Sequence, residues 1–399
     1  MMLKILSKFK YLIVGVIIVS AGFFYIGKVV AEEQLERDLE TYLQALDIVK
    51  NEYVDKKLDN KKLVYGSIRG LLAALDDPYT RFMEPSAFKE MKVRMGGSYS
   101  GIGIYIGIKE NMLSVISPIP GTPSYKKLKS GDKIVTIDGK NTKDMALEEA
   151  VSMIRGKQGT TVKLGIQRNG WHDPKIIEIV RQKIVIKSCE SKQFGEDIAY
   201  IKLITFENLK SAEEFQAALS KGKNRNGLII DVRGNGGGLL SAAIDIGSMF
   251  IEDGVIVQTV DRNGTTDQMR SNGRVLWAKP VVVLIDGGSA SASEILAGAL
   301  RDNKIATLVG TKTFGKASVQ NVRQLDDGSA VLVTIAKYLT PNGEYISKKG
   351  ISPNIEVTVP TKEVQARLES DNFDETKDLQ LQQAIVVLRE LIAKSNNHE

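Results

Sequence analysis

The stretch Pro280-Val-Val-Val-Leu-Ile-Asp-Gly-Gly-Ser-Ala-Ser-Ala-Ser-Glu294 decides how this chain folds. Its apolar run is short, rich in β-branched residues and closed by Asp286-Gly-Gly, the pattern of a strand buried on both faces. After the glycine turn, small residues lead into a helical segment reaching Ala299, so a strand runs straight into a helix with Ser291 at the junction. Gly227-Leu-Ile-Ile-Asp-Val232 repeats the first half of this pattern, and Ile198-Ala-Tyr-Ile-Lys-Leu203 is a third strand. Ser211-Ala-Glu-Glu214 opens a helix with a capping-box spacing. Between about Ile184 and Val359 strands and helices alternate, which predicts an α/β layer fold.

Ser291 is followed 25 residues later by Lys316, in Phe314-Gly-Lys-Ala-Ser-Val-Gln320. The chain has only two histidines, His172 and His398, so a serine nucleophile here needs a different base. A lysine amine serves if it is kept neutral. An unperturbed lysine, with a pKa of about 10.4, is only about one part in 2,500 neutral at pH 7. The site must therefore be desolvated, and in sequence no acid flanks Lys316 more closely than Asp326. Gln320 has a side-chain carbonyl that accepts from an amine without adding a charge. A serine at a helix N-terminus gains unpaired N–H groups for a developing oxyanion, starting with Ala292. The rival reading of Ser291-Ala-Ser-Glu294 is a plain N-cap with Glu294 reaching back. A second glycine-rich loop, Asp231-Val-Arg-Gly-Asn-Gly-Gly-Gly238, follows a buried strand and offers Gly236 or Gly237 as the other oxyanion donor.

Nucleotide readings fail on spacing. Counting G-x-G-x-x-G from Gly234 puts Leu239 at the last glycine position. Gly310-Thr-Lys-Thr-Phe-Gly-Lys316 matches a phosphate loop until Ala317 takes the place of the magnesium-binding hydroxyl. A phosphate loop also opens a helix, whereas Ser318–Leu325, the turn Asp326-Asp-Gly328 and Ala330–Ile335 read as a hairpin. One cysteine, Cys189, and two distant histidines argue against a disulfide or a zinc site. No cofactor or metal is expected.

The whole chain of 399 residues is 43% hydrophobic and 26% charged, an ordinary globular composition. Its net charge of +6 includes the four lysines of residues 1–31, so the rest is nearly neutral, which argues against a nucleic-acid partner. Lys4, Lys8 and Lys10 precede an uncharged apolar run from Tyr11 to Gly27. This is an export signal or a membrane anchor; the run exceeds a signal core of roughly 7 to 15 residues and just reaches the roughly 17 of a spanning helix. Either way residues 32–399 are expected outside the cytoplasm. Residues 32–96 read as helical, with Leu35, Leu39, Leu43, Leu46 and Val49 at helical spacing, as core or a dimer face; residues 361–399 return to helix as a packing or dimer arm.

Between 97 and 183 the texture is short β-runs with one helix, Leu147–Ile154. Gly101-Ile-Gly-Ile104, Pro120-Gly-Thr-Pro123, Leu128-Lys-Ser-Gly-Asp-Lys-Ile134 and Asp138-Gly139 resemble a PDZ domain, with Lys126-Lys127 where an Ala-Gly pair is common. The resemblance implies that backbone N–H groups of Gly101, Ile102, Gly103 and Ile104 receive a peptide carboxylate, the peptide adding as a strand along Ile102–Ile106.

Taken in order, Asp77-Pro-Tyr-Thr80, this PDZ-like segment, Asp231-Val-Arg-Gly-Asn-x-Gly-Gly, Ser-Ala-Ser-Ala-Ser-Glu, Phe-Gly-Lys-x-Ser-Val-Gln, Leu339-Thr-Pro-Asn-Gly343 and Lys349-Gly-Ile-Ser-Pro-Asn-Ile-Glu-Val357 resemble the carboxyl-terminal processing peptidases, or tail-specific proteases. The resemblance covers roughly 60–360. It implies a serine endopeptidase with a crotonase-like core at 184–360, Ser291 as nucleophile, Lys316 as general base and Gln320 orienting the lysine. It also implies protein or peptide substrates whose free C-termini the PDZ-like unit captures. Ala317 stands where glycine is usual, and Asp286 where asparagine is common; an acid close to Lys316 would raise its pKa and slow the enzyme. Two other readings remain: an inactive peptide-binding scaffold, and a crotonase-like acyl transferase acting on small thioesters.

Overall fold

A computed structural model describes residues 34–145, 147–360 and 374–397. The apolar segment 11–27, expected as signal or anchor, lies outside the described residues. Among the described residues no helix is long and apolar enough to cross a membrane. The chain divides into two compact units, Met1–Ile68 and Arg69–Glu399. The first is helical over 34–52 and again from Asn60, and within it Tyr42 donates to Ser67 Oγ at 2.9 Å. Leu35, Leu39 and Leu43 are exposed there rather than packed.

The second unit contains a β domain and an α/β core. Strands Ile104–Lys109, Met112–Pro118, Lys133–Ile137, Thr161–Gln167 and Lys175–Val180 form an antiparallel sheet in that order, with Ile104–Lys109 at one edge. Alternate residues Val162, Leu164, Ile166 and Ile179 turn inward onto Ile102, Leu113, Val115 and Leu128. Helix Leu147–Ile154 packs beside the Ile104–Lys109 edge, and buried Arg181 satisfies its last carbonyls, donating to Met153 O and Ile154 O at 2.9 Å each. The Lys126-Lys127 departure falls in a run of turns; Lys127 Nζ reaches Glu178 O at 2.6 Å and Leu128 stays buried.

In the core, one sheet runs Cys189–Phe194, Ile198–Leu203, Gly227–Asp231, Val281–Ile285, Ala306–Gly310 and Ile355–Glu356, antiparallel in its first pair and parallel thereafter. The period of two sorts its side chains. Ile201, Leu203, Leu228, Ile230, Val281 and Val283 face one buried cluster with Phe215, Ile246 and Leu296 from helices Ser211–Lys221, Leu240–Ser248 and Ala292–Asp302. Tyr200, Ile229, Val282 and Leu284 face another with Leu381, Ala384 and Leu388 from helix Leu379–Asn396. Burial on both faces is why Val281–Ile285 reads as continuous apolar sequence. Helix Leu379–Asn396 thus packs directly on this core.

A second sheet joins Arg81–Met83, Ala330–Leu339, Val255–Asp261 and Thr266–Arg270, and Ser318–Gln324 also pairs with Ala330–Leu339. Lys316 therefore precedes a hairpin, as expected, and not a helix. The capping box expected at Ser211 does not form. Lys210 is the N-cap, Ser211 Oγ donates to Asn208 O at 2.6 Å, and Glu214 instead accepts from Ser188 N at 2.7 Å and Asn208 Nδ2 at 3.2 Å. Burial of Ser188 and Asn208 beside the helix makes them the stronger claimants on that carboxylate.

Candidate active site

Three loops leave the carboxyl ends of adjacent parallel strands: 232–239 after Gly227–Asp231, 286–291 after Val281–Ile285, and 311–317 after Ala306–Gly310. Side-by-side strands deliver their loops to the same end of the sheet, where open α/β sheets place ligands. In this way Ser291, Lys316 and the glycine loop, up to 84 residues apart in sequence, become neighbours.

Ser291 is the N-cap of helix Ala292–Asp302 and holds φ 55°, ψ −115°. Positive φ is costly for a residue with a Cβ and persists only where the surroundings enforce it. They do so here: Ser291 N–H donates to Glu294 Oε2 at 2.9 Å, and Ile295 N–H donates to Ser291 O at 2.9 Å. The cap is compatible with a nucleophilic role for Ser291, because the turn is held by the Glu294 carboxylate on the Ser291 N–H and leaves the side chain out of that bond.

Glu294 does more than cap. Fully buried, it accepts from Thr313 Oγ1 at 2.5 Å, Gly315 N at 2.7 Å and Lys316 N at 2.9 Å as well as from Ser291. One carboxyl group thus ties the peptide of the serine to the peptide of the lysine. Burial raises its pKa, against the lowering effect of those four hydrogen bonds. The capping-box spacing was visible in sequence; the other three partners were not.

The Lys316 amine is half-buried and its Nζ lies 4.8 Å from the centre of the Tyr79 ring. Burial lowers its pKa below the usual lysine range and the charge of Arg81 lowers it further, against the opposing pull of Asp77 and Glu294. Sequence flanks thus misjudged the neighbourhood: acids reach the site from Asp77 and Glu294, far along the chain. Asp77, Tyr79 and Arg81 arrive because strand Arg81–Met83 pairs with Ala330–Leu339, with Thr80 Oγ1 accepting from Thr334 N at 3.0 Å. Gln320 donates through Nε2 to Ser318 Oγ at 2.8 Å and Thr334 Oγ1 at 3.3 Å; among the described residues no hydrogen bond joins it to Lys316.

Of the three expected oxyanion donors, Gly237 is already committed, its N–H donating to Asn235 Oδ1 at 2.9 Å. Its value is the missing side chain: at φ 95°, a Cβ there would lie 2.6 Å from Ala290 O and 2.8 Å from both Ala292 N and Ser291 Cβ. The exposed Gly236 and the first helical residue Ala292 remain as the N–H sources flanking this contact. The loop is pinned to the serine loop by Ala290 N and Ser293 Oγ, which donate to Asn235 O at 3.0 and 2.8 Å. Asp286 completes the tie, accepting from Gly234 N at 2.8 Å and Gly288 N at 2.9 Å. It anchors the glycine loop.

In the β domain, Ile102 is buried, Gly103 holds φ 76° with Thr122 closing the space a Cβ would fill, and Gly103 O accepts from Ile119 N, Thr122 Oγ1 and Ser124 Oγ at 2.9, 3.0 and 2.5 Å. His172 is 97% exposed in that domain and contacts Asp173. Cys189 is half-buried with its thiol pushed up to about 11, chiefly by burial.

Comparison with known proteins assigns this α/β core and the strand-end loops that gather serine, lysine and glycine. The family model of peptidase family S41 matches residues 197–357, that of the PDZ domain residues 90–167, and that of the activating protease CtpB N-terminal domain residues 21–87. The chain is 38% identical over 322 residues to a carboxyl-terminal-processing protease of Synechocystis, covering 78% of this chain and 75% of that one. It is also 38% identical over 321 residues to the carboxy-terminal processing protease CtpA of Bacillus subtilis, covering 79% and 68%. An S41 protease structure from Bacteroides fragilis superposes with a TM-score of 0.51 over 84% of this chain and 91% of its own, at 15% identity, a likeness of fold. The chain belongs to the carboxyl-terminal processing proteases of peptidase family S41, with a PDZ domain.

Proposed function

We propose that this protein is an exported serine endopeptidase that cuts protein substrates near their C-termini through an acyl-enzyme on Ser291. The observation that carries this reading is the strained Ser291 at a helix N-terminus, joined peptide to peptide with a half-buried, pKa-lowered Lys316 through Glu294. Lys316 Nζ takes the Ser291 Oγ proton as Oγ adds to the scissile carbonyl. Ala292 and Gly236 N–H groups hold the resulting oxyanion. The ammonium then protonates the departing amine, and the same lysine activates the water that releases the acyl group. Gln320, whose NH2 is held by Ser318 and Thr334, presents its carbonyl oxygen to orient the amine. The sheet with helices on both faces supports a crotonase-like core.

The PDZ domain captures the substrate carboxylate. With the carbonyls of Ile102 and Gly103 taken by the 119–124 loop, their N–H groups are what that turn offers an anion, beside the unpaired edge of Ile104–Lys109. Residues 11–27 direct export and hold the chain to the membrane, and the exposed leucines of 34–52 form a homodimer face.

Mass spectrometry of the exported part, residues 32–399, mixed with a serine-directed acylating probe tests the reading. One adduct on Ser291, absent in Ser291→Ala, is expected. A folded protein that binds C-terminal peptides without acquiring the adduct would instead be a scaffold, and acylation by small thioesters with no peptide cleavage would make it a transferase.

A further inference from the structure

We propose that Tyr338 is a positioning residue that fixes the separation of Ser291 and Lys316 by hydrogen-bonding the main-chain carbonyl of each. The inference rests on the Ser291–Lys316 reading above. Tyr338 lies on strand Ala330–Leu339 with 2% of its surface exposed. Its hydroxyl donates to Lys316 O and lies 3.3 Å from Ser291 O, so its single proton is shared between two peptides from different loops. Its own N–H donates to Ala317 O at 3.1 Å, which keeps the ring in register with the lysine.

Together with Glu294 this closes a loop of hydrogen bonds. Glu294 accepts the N–H of Ser291 and of Lys316; Tyr338 meets the C=O of Ser291 and of Lys316. Both residues are thereby held through their N–H and through their C=O. Such a ring is needed because the nucleophile and the base ride on separate loops, after strands Val281–Ile285 and Ala306–Gly310, with no covalent constraint on their spacing. The strained turn at Ser291 gains a second restraint beyond its cap. Burial holds the phenol pKa well above its ordinary range, so the hydroxyl remains a donor across the working pH range. Apolar packing alone would be served by phenylalanine; a buried hydroxyl calls for partners, and these are the two peptides that carry the reacting side chains.

The experiment compares Tyr338→Phe and Tyr338→4-aminophenylalanine with wild type, with Ser291→Ala and Lys316→Ala alongside, on one peptide substrate. Misplacing reacting groups by about an ångström costs on the order of a hundred-fold. Tyr338→Phe should therefore lose about ten- to a hundred-fold in kcat with KM within about two-fold. The 4-amino analogue, which keeps a donor in place, should recover most of that loss; it also stands in for Tyr338→Phe should the latter not fold. Wild-type kcat in folded Tyr338→Phe overturns the proposal, as does a folded 4-amino variant no more active than Tyr338→Phe, or itself inactive. If Ser291→Ala or Lys316→Ala keeps substantial turnover, it is the underlying serine–lysine reading that fails.

Discussion

Arg233 grips Asp378, 145 residues away, with both terminal nitrogens, Nη1 to Oδ1 at 2.8 Å and Nη2 to Oδ2 at 2.9 Å. Its remaining N–H groups go to Asp231 and to Gln380 Oε1, so all five donors of a buried guanidinium are used. Asp378 also caps the C-terminal helix, accepting from Leu381 N at 3.0 Å, and Arg233 immediately precedes Gly234. Helix Leu379–Asn396 is thus anchored to the root of the glycine loop beside Ser291.

That anchorage predicts the cost of Asp378→Ala. Removing one partner of a buried charge pair typically costs about 3–5 kcal/mol; Arg233 keeps Asp231, but the variant leaves two of its buried N–H groups and the cap of the C-terminal helix without their acceptor. Denaturant unfolding of the variant should show a loss in this range together with reduced turnover. Acid should do the same to the wild type. Burial pushes Asp231 up, but the Arg233 charge and hydrogen bonds outweigh it and hold its carboxyl below the ordinary aspartate range. A depressed carboxylate contributes stability that is complete above its unfolded pKa, about 3.9, and is lost as pH falls through the folded value. Urea midpoints that stay constant below pH 4 would contradict this.

The pH profile of catalysis follows from Lys316. A general base must be neutral, so with Lys316 as the proposed base kcat/KM should fall as pH drops through its folded pKa, which burial and Arg81 set below the usual lysine range. Arg81→Gln removes one of the two lowering influences and should move the acidic limb to higher pH. His172→Ala should leave the limb where it is, since that ring is in solvent. A limb that ignores Arg81→Gln but disappears in His172→Ala would mean that another group is the base.

Much of this was legible in sequence wherever the signal was local. The strand at Val281–Ile285, the helix after Ser291, the hairpin after Lys316 and the helix Leu147–Ile154 each carry their pattern within a dozen residues. The site's wiring was not, because it is made by strand pairing across the chain. Tyr79 reaches Lys316 only through the pairing of Arg81–Met83 with Ala330–Leu339, and nothing near Tyr338 marks its hydroxyl as bound for two loops. Likewise Gly237 looked equivalent to Gly236 until Asn235 proved to hold its N–H.

Capture of a carboxylate by the PDZ domain predicts a preference for free C-termini. Cleavage of a peptide ending in an apolar residue should slow several-fold when its terminus is amidated, and Gly103→Val should abolish the difference, because at φ 76° any side chain collides with Thr122. Kinetics on the paired peptides checks it; equal rates for acid and amide with the intact protein would remove the PDZ turn from substrate recognition.

The two neighbouring glycines Gly236 and Gly237 should respond differently to alanine. At Gly236 nothing lies within 4 Å of where a Cβ would stand, and an alanine keeps the backbone N–H that is proposed to face the oxyanion. At Gly237 the added Cβ would meet Ala290 O at 2.6 Å and both Ala292 N and Ser291 Cβ at 2.8 Å, in a conformation of φ 95° that side chains avoid. Relief of that contact requires the glycine loop and the serine turn to part, which displaces the nucleophile and the Ala292 N–H together. Losing one oxyanion donor alone costs about 100- to 1,000-fold in kcat. Gly237→Ala should reach that range while Gly236→Ala stays within about ten-fold of wild type, measured as kcat on one peptide with folding checked by thermal melting. Equal losses at the two positions would show that the contact between Gly237 and Ser291 does not set the geometry of the nucleophile.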